Sequence, residues 1–416
     1  MEYHIDQTRT HSSVFIQVIT ILLILRSSFG VITYSNIFNS TLYLLIYIIW
    51  FVLISLNRPN YLSKVLRLSY PIIIFLLLNI SIDILSIGYI TKSILNYVNI
   101  FINFTILIFC IDQKNKKMIG LSVLLLSMNY LIIIVNTLIQ LSIDYKLSRL
   151  ISTAQGISSV NYSGDLSLIA DFGFVYAVLV LLVFFFSVYS KTNRIIILLI
   201  VAFVGYFIFS TSFFFAIIIE GFIIGLILLK RVFKQKYIYS LVLLIIILLL
   251  ILLRRHIGEI LIEFAQSQTA NDIISGKIND FGVLFINGID SAFMSNLRLE
   301  LYLDSLKTFI MYPLFGVHGL HTTNSGIGQH SAWVDGLAMF GFVRYIPYLL
   351  QLYIIIGYSK KLIYKEYSSI IFLPYLAFII IGVFNPNVFP QMWNVLILYI
   401  PLSIVVLRNF IAGENK

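Results

Sequence analysis

The sequence predicts an all-α polytopic membrane protein of about 12 transmembrane helices with one large loop outside the membrane. Three observations predict it. Hydrophobic residues make up 60% of the 416 positions and charged residues only 11%, against roughly 25% charged in soluble domains. Apolar runs of the ~20 residues that a span needs follow one another from Ser13 to Phe410. The chain carries a net charge of +10, but its basic residues sit in the short breaks between those runs rather than on one face or in one tail. That is the positive-inside pattern of membrane loops, and it speaks against nucleic acid as a partner. Residues 1–416 therefore read as a single membrane domain without a soluble catalytic domain at either end.

The first span, roughly 13–33, follows a polar stretch that contains Arg9. It runs on past the length of a signal-peptide core without a small-residue cleavage site, so it reads as a retained helix. Further spans are expected at 40–56, 69–88, 95–111, 118–141, 166–188, 194–210, 212–229 and 237–253. After a long gap come 343–359, 367–385 and 389–408. Only Ser210 and Thr211 separate the seventh span from the eighth, which makes that pair a tight hairpin. The single cysteine, Cys110, lies in an apolar run, so neither an intrachain disulfide nor a cysteine metal site is expected.

Placing the N-terminus in the cytoplasm puts Arg58, Lys64 and Arg67 on the inside, followed by Lys114, Lys116 and Lys117, then Lys191 and Arg194. Lys230, Arg231, Lys234 and Lys236 fall on the same side, as do Lys360, Lys361 and Lys365. The outside turns at 34–39 and 386–388 carry no basic residue. The expected location is thus the cytoplasmic membrane of the cell, with both termini in the cytoplasm. Nine spans precede Arg254, so the segment 254–333 lies outside, as does a second excursion from Ser142 to Asp165. Asp83, Asp171 and Glu220 are ionisable groups at or near membrane depth, Glu220 the deepest, and are expected to face the bundle interior.

The segment 254–333 is too long for a connector, and loops of that length are usually functional or disordered. Its composition is not that of a disordered chain. Phe281, Val283, Leu284, Phe285 and Ile286 are apolar, and a helix is expected from Asn296 to Met311, terminated by Pro313. Gly316, Gly319, Gly326 and Gly328 follow, residues that bend the backbone and let a ligand approach closely. The apolar stretch Trp333 to Phe342 then leads back into the bilayer.

Arg298, then Pro313-Leu314-Phe315-Gly316-Val317-His318-Gly319, then His330-Ser331 with Trp333, and finally Phe340-Gly341-Phe342 resemble the large-loop pattern of bacterial O-antigen polymerases and ligases. The serine-bearing form, HSAWVDGLAMFG, is most similar to Wzy-type capsular and exopolysaccharide polymerases of low-GC Gram-positive bacteria. The likeness covers residues 298–342 at motif level and the rest of the chain only through span number and the late position of the loop. It implies a GT-C-like glycosyltransferase that works outside the membrane with undecaprenyl-diphosphate-linked oligosaccharide as donor and acceptor. The lipid bilayer is then its solvent, and a chain-length regulator is the protein partner that the resemblance leaves room for.

In such a reaction a sugar hydroxyl attacks an anomeric carbon while a lipid diphosphate leaves. The site must stabilise charge growing on the diphosphate and help remove the acceptor proton. The outside loops hold no Asp-x-Asp pair or carboxylate cluster, so no metal or other cofactor is expected and cations must carry the charge work. Arg298 is the first choice, because a planar guanidinium grips two phosphate oxygens at once; its plainer reading is a solvated helix residue paired with a carboxylate. Lys307, nine residues on, should face away from Arg298.

The family pattern usually has an Arg after a Ser near the outer end of an earlier hairpin. Here the chain reads Ser210-Thr211-Ser212-Phe213, with Phe in that place. Arg254, Arg255 and Arg26, at the outer ends of spans, are the candidates to supply the missing charge, and interfacial anchoring is an equal reading for each. His330 either takes or orients the acceptor proton, or caps the turn before Trp333. Asp335 either orients His330 or acts as base itself. His318, Gly316, Gly319 and Trp333 belong to the same motif and are expected to line the substrate. The i, i+3 spacing of His318 and His321 invites a metal reading, which the lack of a His-Glu-x-x-His helix or a nearby Cys counts against. Outside glycosyl transfer to a growing polymer, the alternatives are a ligase and a lipid-linked oligosaccharide flippase. A flippase would carry its charges in a central cavity and have short loops throughout.

Overall fold

Hydrocarbon offers no hydrogen-bond partners, so apolar segments of this length satisfy their backbone internally and fold as helices. The computed structural model describes residues 14–28, 40–86, 88–144, 147, 168–192, 195–211, 213, 216, 218, 220–222, 224, 225, 245, 248, 249, 251–267, 272–287, 297–318, 327, 328, 331–363, 368–385 and 390–411. Of these described residues 89% are helical, and none is in a strand.

In chain order the helices are α1 (Val14–Ser27), α2 (Ser40–Asn57), α3 (Pro59–Ser86), α4 (Lys92–Gln113), α5 (Lys116–Ile143), α6 (Phe172–Thr192) and α7 (Ile195–Ser210). The segment after the ninth expected span holds α8 (Arg254–Ser267), α9 (Asp272–Asn287) and α10 (Leu297–Met311). Then come α11 (Ala332–Lys360), α12 (Ser369–Phe384) and α13 (Pro390–Asn394), which continues through a π-helical turn (Val395–Tyr399) into α14 (Ile400–Ile411). Among the described residues seven helices are long and apolar enough to cross a membrane, and Val14–Ser27, Ile195–Ser210 and Ile370–Val383 are shorter apolar helices. Most of the expected spans 212–229 and 237–253 and of the excursion from Ser142 to Asp165 lies outside the described residues.

Burial orders the bundle. The apolar window of α6 is 83% buried and that of Pro390–Arg408 78%, whereas that of α2 is 22% buried. The first two form the centre and α2 faces outward. Trp393 anchors the centre, its ring 5.9 Å from Tyr348 and 4.8 Å from Phe378. Large apolar side chains such as Leu45, Ile48, Leu77, Leu131, Leu199 and Tyr353 remain exposed around the bundle. A soluble monomer does not present a surface of that kind, and the protein is accordingly membrane-embedded.

The two ends of the bundle differ. At one end Lys64 pairs with Asp112 and lies over the Tyr358 ring, 5.6 Å from its centre. Asn115 caps α5 by accepting from the Met118 amide at 3.1 Å, and its Nδ2 donates to Gln17 Oε1 at 3.1 Å. This is the end where Arg58, Lys114, Lys116, Lys117, Lys360 and Lys361 gather. At the opposite end Asp83 ties α3 to the start of α4, accepting from the Thr91 amide at 2.7 Å and its hydroxyl at 2.8 Å. Asp171 caps α6 there, taking the Phe174 amide at 2.8 Å. Asn394 donates to Ser27 Oγ at 2.7 Å on the same side. The motif-bearing segment lies at this second end.

Candidate functional site

The site is built around a break in α11. Helical residues on either side of Gly341 are interrupted by its φ of 64° and ψ of 177°, a combination essentially confined to glycine. The break falls two residues before the expected start of the tenth span, and divides an outer half-helix from the long helix that follows. Carbonyls freed there are taken up by the Pro313–His318 turn. Val317 donates to Ala338 O at 3.1 Å and His318 to Met339 O at 2.9 Å, while Phe342 and Val343 donate to Pro313 O at 2.8 Å and Leu314 O at 3.0 Å. Gly316, at φ 61°, lies against the Met339 carbonyl. The close approach seen at this glycine is to the chain's own backbone.

Arg344 locks this junction from inside. Only 2% exposed, it donates to Phe340 O at 3.1 Å, to Asn79 Oδ1 at 3.2 Å, to His318 O at 3.3 Å and to the Phe315 carbonyl. Asn79 in turn donates to Phe75 O at 2.7 Å, so the guanidinium joins the loop, α11 and α3. His318 is turned into the same cluster: its side chain is 6% exposed and Nε2 lies 2.6 Å from Asp83 Oδ1. Burial lowers the His318 pKa below the ordinary histidine value; the Asp83 carboxylate opposes that shift and Arg344 reinforces it.

A second clasp fixes the other motif strand. Asp335, in the first turn of α11, accepts the Ser305 hydroxyl at 2.6 Å through Oδ1 and the Ser331 amide at 2.9 Å through Oδ2. Ser305 Oγ also accepts the Gly328 amide at 2.8 Å. Ser331 is the N-cap of α11, its hydroxyl oxygen taking the Val334 amide at 3.4 Å, a close variant of the capping box. The Asp335 carboxylate therefore holds Ser331 directly, and α10 and Gly328 through Ser305. Trp333 Nε1 donates to Ile379 O at 2.8 Å and the Tyr302 hydroxyl to the Val383 carbonyl. Both pin the loop to the end of α12.

Comparison of the chain with protein-family models and with curated proteins found no match.

The structure brings together Gly316, His318 and Asp335 with α10, the helix that carries position 298. Helical periodicity puts position 298 on the Ser305 face of α10, two turns nearer the N-terminus. The Arg298 side chain, Gly319, His321 and His330 lie outside the described residues. Lys307 is an exposed residue 3.9 Å from Asp304, as a surface charge should be. His318 is turned toward Asp83, and Trp333 is bonded to Ile379 O. Arg254 and Arg255 are exposed in the first turn of α8. Arg26 is half-buried, 5.5 Å from the centre of the Tyr43 ring, in a separate cleft.

Phe213, at the place where the family has Arg, is buried 5.6 Å from the Phe172 ring, so this position contributes an aromatic contact. Asp83 is fully buried, and Glu220 lies against Gly205, where an added Cβ would stand 2.8 Å from Glu220 Oε1. Sequence reasoning missed Arg344 and Asn79. The available signal was an arginine just inside an apolar span, a costly placement that calls for a partner.

Proposed function

We propose that this protein is a Wzy-type polysaccharide polymerase of 12 spans and GT-C-like fold, joining undecaprenyl-diphosphate-linked repeat units on the outer face of the cytoplasmic membrane. The observation that supports this best is the Asp335 clasp. One carboxylate, with the Ser305 hydroxyl bonded to it, ties the α10 helix, which carries Arg298, to Gly328 and Ser331, between which position 330 falls. A residue that grips a leaving diphosphate and one that serves an acceptor hydroxyl must be held in fixed register, because orientation is where much of the rate of a two-substrate reaction comes from. In this reading Arg298 binds two diphosphate oxygens and His330 takes or orients the acceptor proton. Asp335 is a positioning residue, since its oxygens are taken up by Ser305 and the Ser331 amide. The basic end of the bundle is cytoplasmic, which puts the motif end outside.

The test uses the purified chain in vesicles with lipid-linked repeat unit as substrate. A ladder of lipid-linked polymer is expected, and it should persist in EDTA because guanidinium groups serve the diphosphate. Full loss in EDTA, restored by one divalent cation, would contradict the arginine-based mechanism. Failure to make any polymer from the cognate repeat unit would contradict the polymerase reading.

A further inference from the structure

The loop end of the bundle holds a cleft of about 670 Å³ that the motif segment does not use, between α1, α2, α4 and α13. Three features of its wall define a ligand. Arg26 supplies a cation in the last turn of α1, stacked near Tyr43. Asn96 and Asn99 are half-buried in the same wall and offer amide donors and acceptors to a polar headgroup. Leu44 and Leu95 line the same cleft and are 42% and 48% exposed, so it is open toward the lipid-facing surface. A water-soluble anion has no use for an apolar flank, and a bare hydrocarbon has none for an arginine at membrane depth.

We propose that this cleft holds the headgroup of an anionic lipid that reaches it sideways from the bilayer. The phosphate lies on Arg26, headgroup hydroxyls meet Asn96 and Asn99, and the chain leaves past Leu44 and Leu95. Two lipids share this chemistry: a polyprenyl-phosphate sugar and a glycerophospholipid with a hydroxylated headgroup. The first would make the cleft a docking place for lipid-linked substrate, and that step alone rests on the polymerase reading. The headgroup site itself rests on the cleft and on membrane embedding.

Native mass spectrometry of the detergent-solubilised full chain tests it, with polyprenyl-phosphate hexose and phosphatidylglycerol as probes and phosphatidylcholine as control. One probe molecule retained per chain is expected. Arg26→Gln should weaken retention about tenfold or more, the size of a charge-assisted hydrogen bond. Thr41→Trp, which fills the cleft and keeps the charge, should abolish it. Preference for the polyprenyl probe assigns the cleft to lipid-linked substrate, and equal retention of phosphatidylglycerol assigns it to a bilayer lipid; either supports the headgroup site. Retention no better than phosphatidylcholine, or unchanged in both variants, would overturn it. The binding needs no turnover, so loss of the polymerase reading and loss of this site are separate results.

Discussion

Gly341→Ala should be among the most damaging single-methyl changes in this protein, and the structure says why. At φ 64° and ψ 177° a residue with a side chain is strained by about 1–3 kcal/mol. The new Cβ would also stand 2.5 Å from Gly316 N and from the Leu314 carbonyl carbon and oxygen. All of these are backbone atoms, so no flexible side chain can yield. Relief requires the Pro313–His318 turn to back away, giving up the hydrogen bonds from Phe342 to Pro313 O and from Val343 to Leu314 O. Each bond lost costs about 0.5–1.5 kcal/mol, which with the strain brings the total to about 2–6 kcal/mol, a large part of the ~5–15 kcal/mol that typically separates native from unfolded protein. Gly120→Ala is the control: that glycine lies inside α5 with nothing within 4 Å of an added Cβ. There alanine should be neutral or stabilising by up to ~1 kcal/mol. Thermal unfolding of the two solubilised variants, followed by fluorescence-detected size exclusion, gives the comparison. Equal midpoints for Gly341→Ala and Gly120→Ala would refute the description of the junction.

Arg344→Leu should destabilise by about 3–5 kcal/mol, as loss of a buried charged partner does, and Arg344→Lys should recover only part, since an ammonium lacks the guanidinium fork; the same unfolding assay reads both. His318 makes stability pH-dependent. Because its folded pKa is depressed by burial, its contribution is present above the unfolded value of ~6.5 and is lost as pH falls toward the folded one. Midpoints should therefore drop below about pH 6.5 in the native chain, and His318→Phe should flatten that part of the profile; an unchanged slope in the variant would assign the dependence elsewhere.

The bundle was legible because hydrocarbon imposes its own rule: apolar runs must be helical, so α2, α4 and α5 lie within a few residues of their expected limits. Where the chain leaves the bilayer the rule stops. The third span was expected at 69, yet α3 begins at Pro59, because proline suits a first helical turn and Lys64 finds Asp112 on α4. Likewise α11 starts at Ala332, its N-terminus fixed by the Ser331 and Asp335 caps. The motif glycines were located by sequence, but the contact that Gly316 and Gly341 make between the loop and the helix break shows only in the fold. Arg344 was hidden because its partners are remote: Asn79 lies 265 residues away, and no local pattern announces such a pairing. The approach of His318 to Asp83 was hidden for the same reason, since the two are remote in the chain.

The central claim is that Arg298 and His330 carry the chemistry while the Asp335 and Arg344 clusters hold the loop. It is tested most directly by the ladder of lipid-linked polymer made by Arg298→Ala, Arg298→Lys and His330→Ala at matched membrane expression and unaltered unfolding midpoints. His330→Ala should lower turnover about 10² to 10⁴-fold, the usual contribution of a positioned base. Arg298→Lys should rescue Arg298→Ala poorly, because a point charge does not reproduce the two-pronged contact. Normal ladders from both alanine variants would contradict the account.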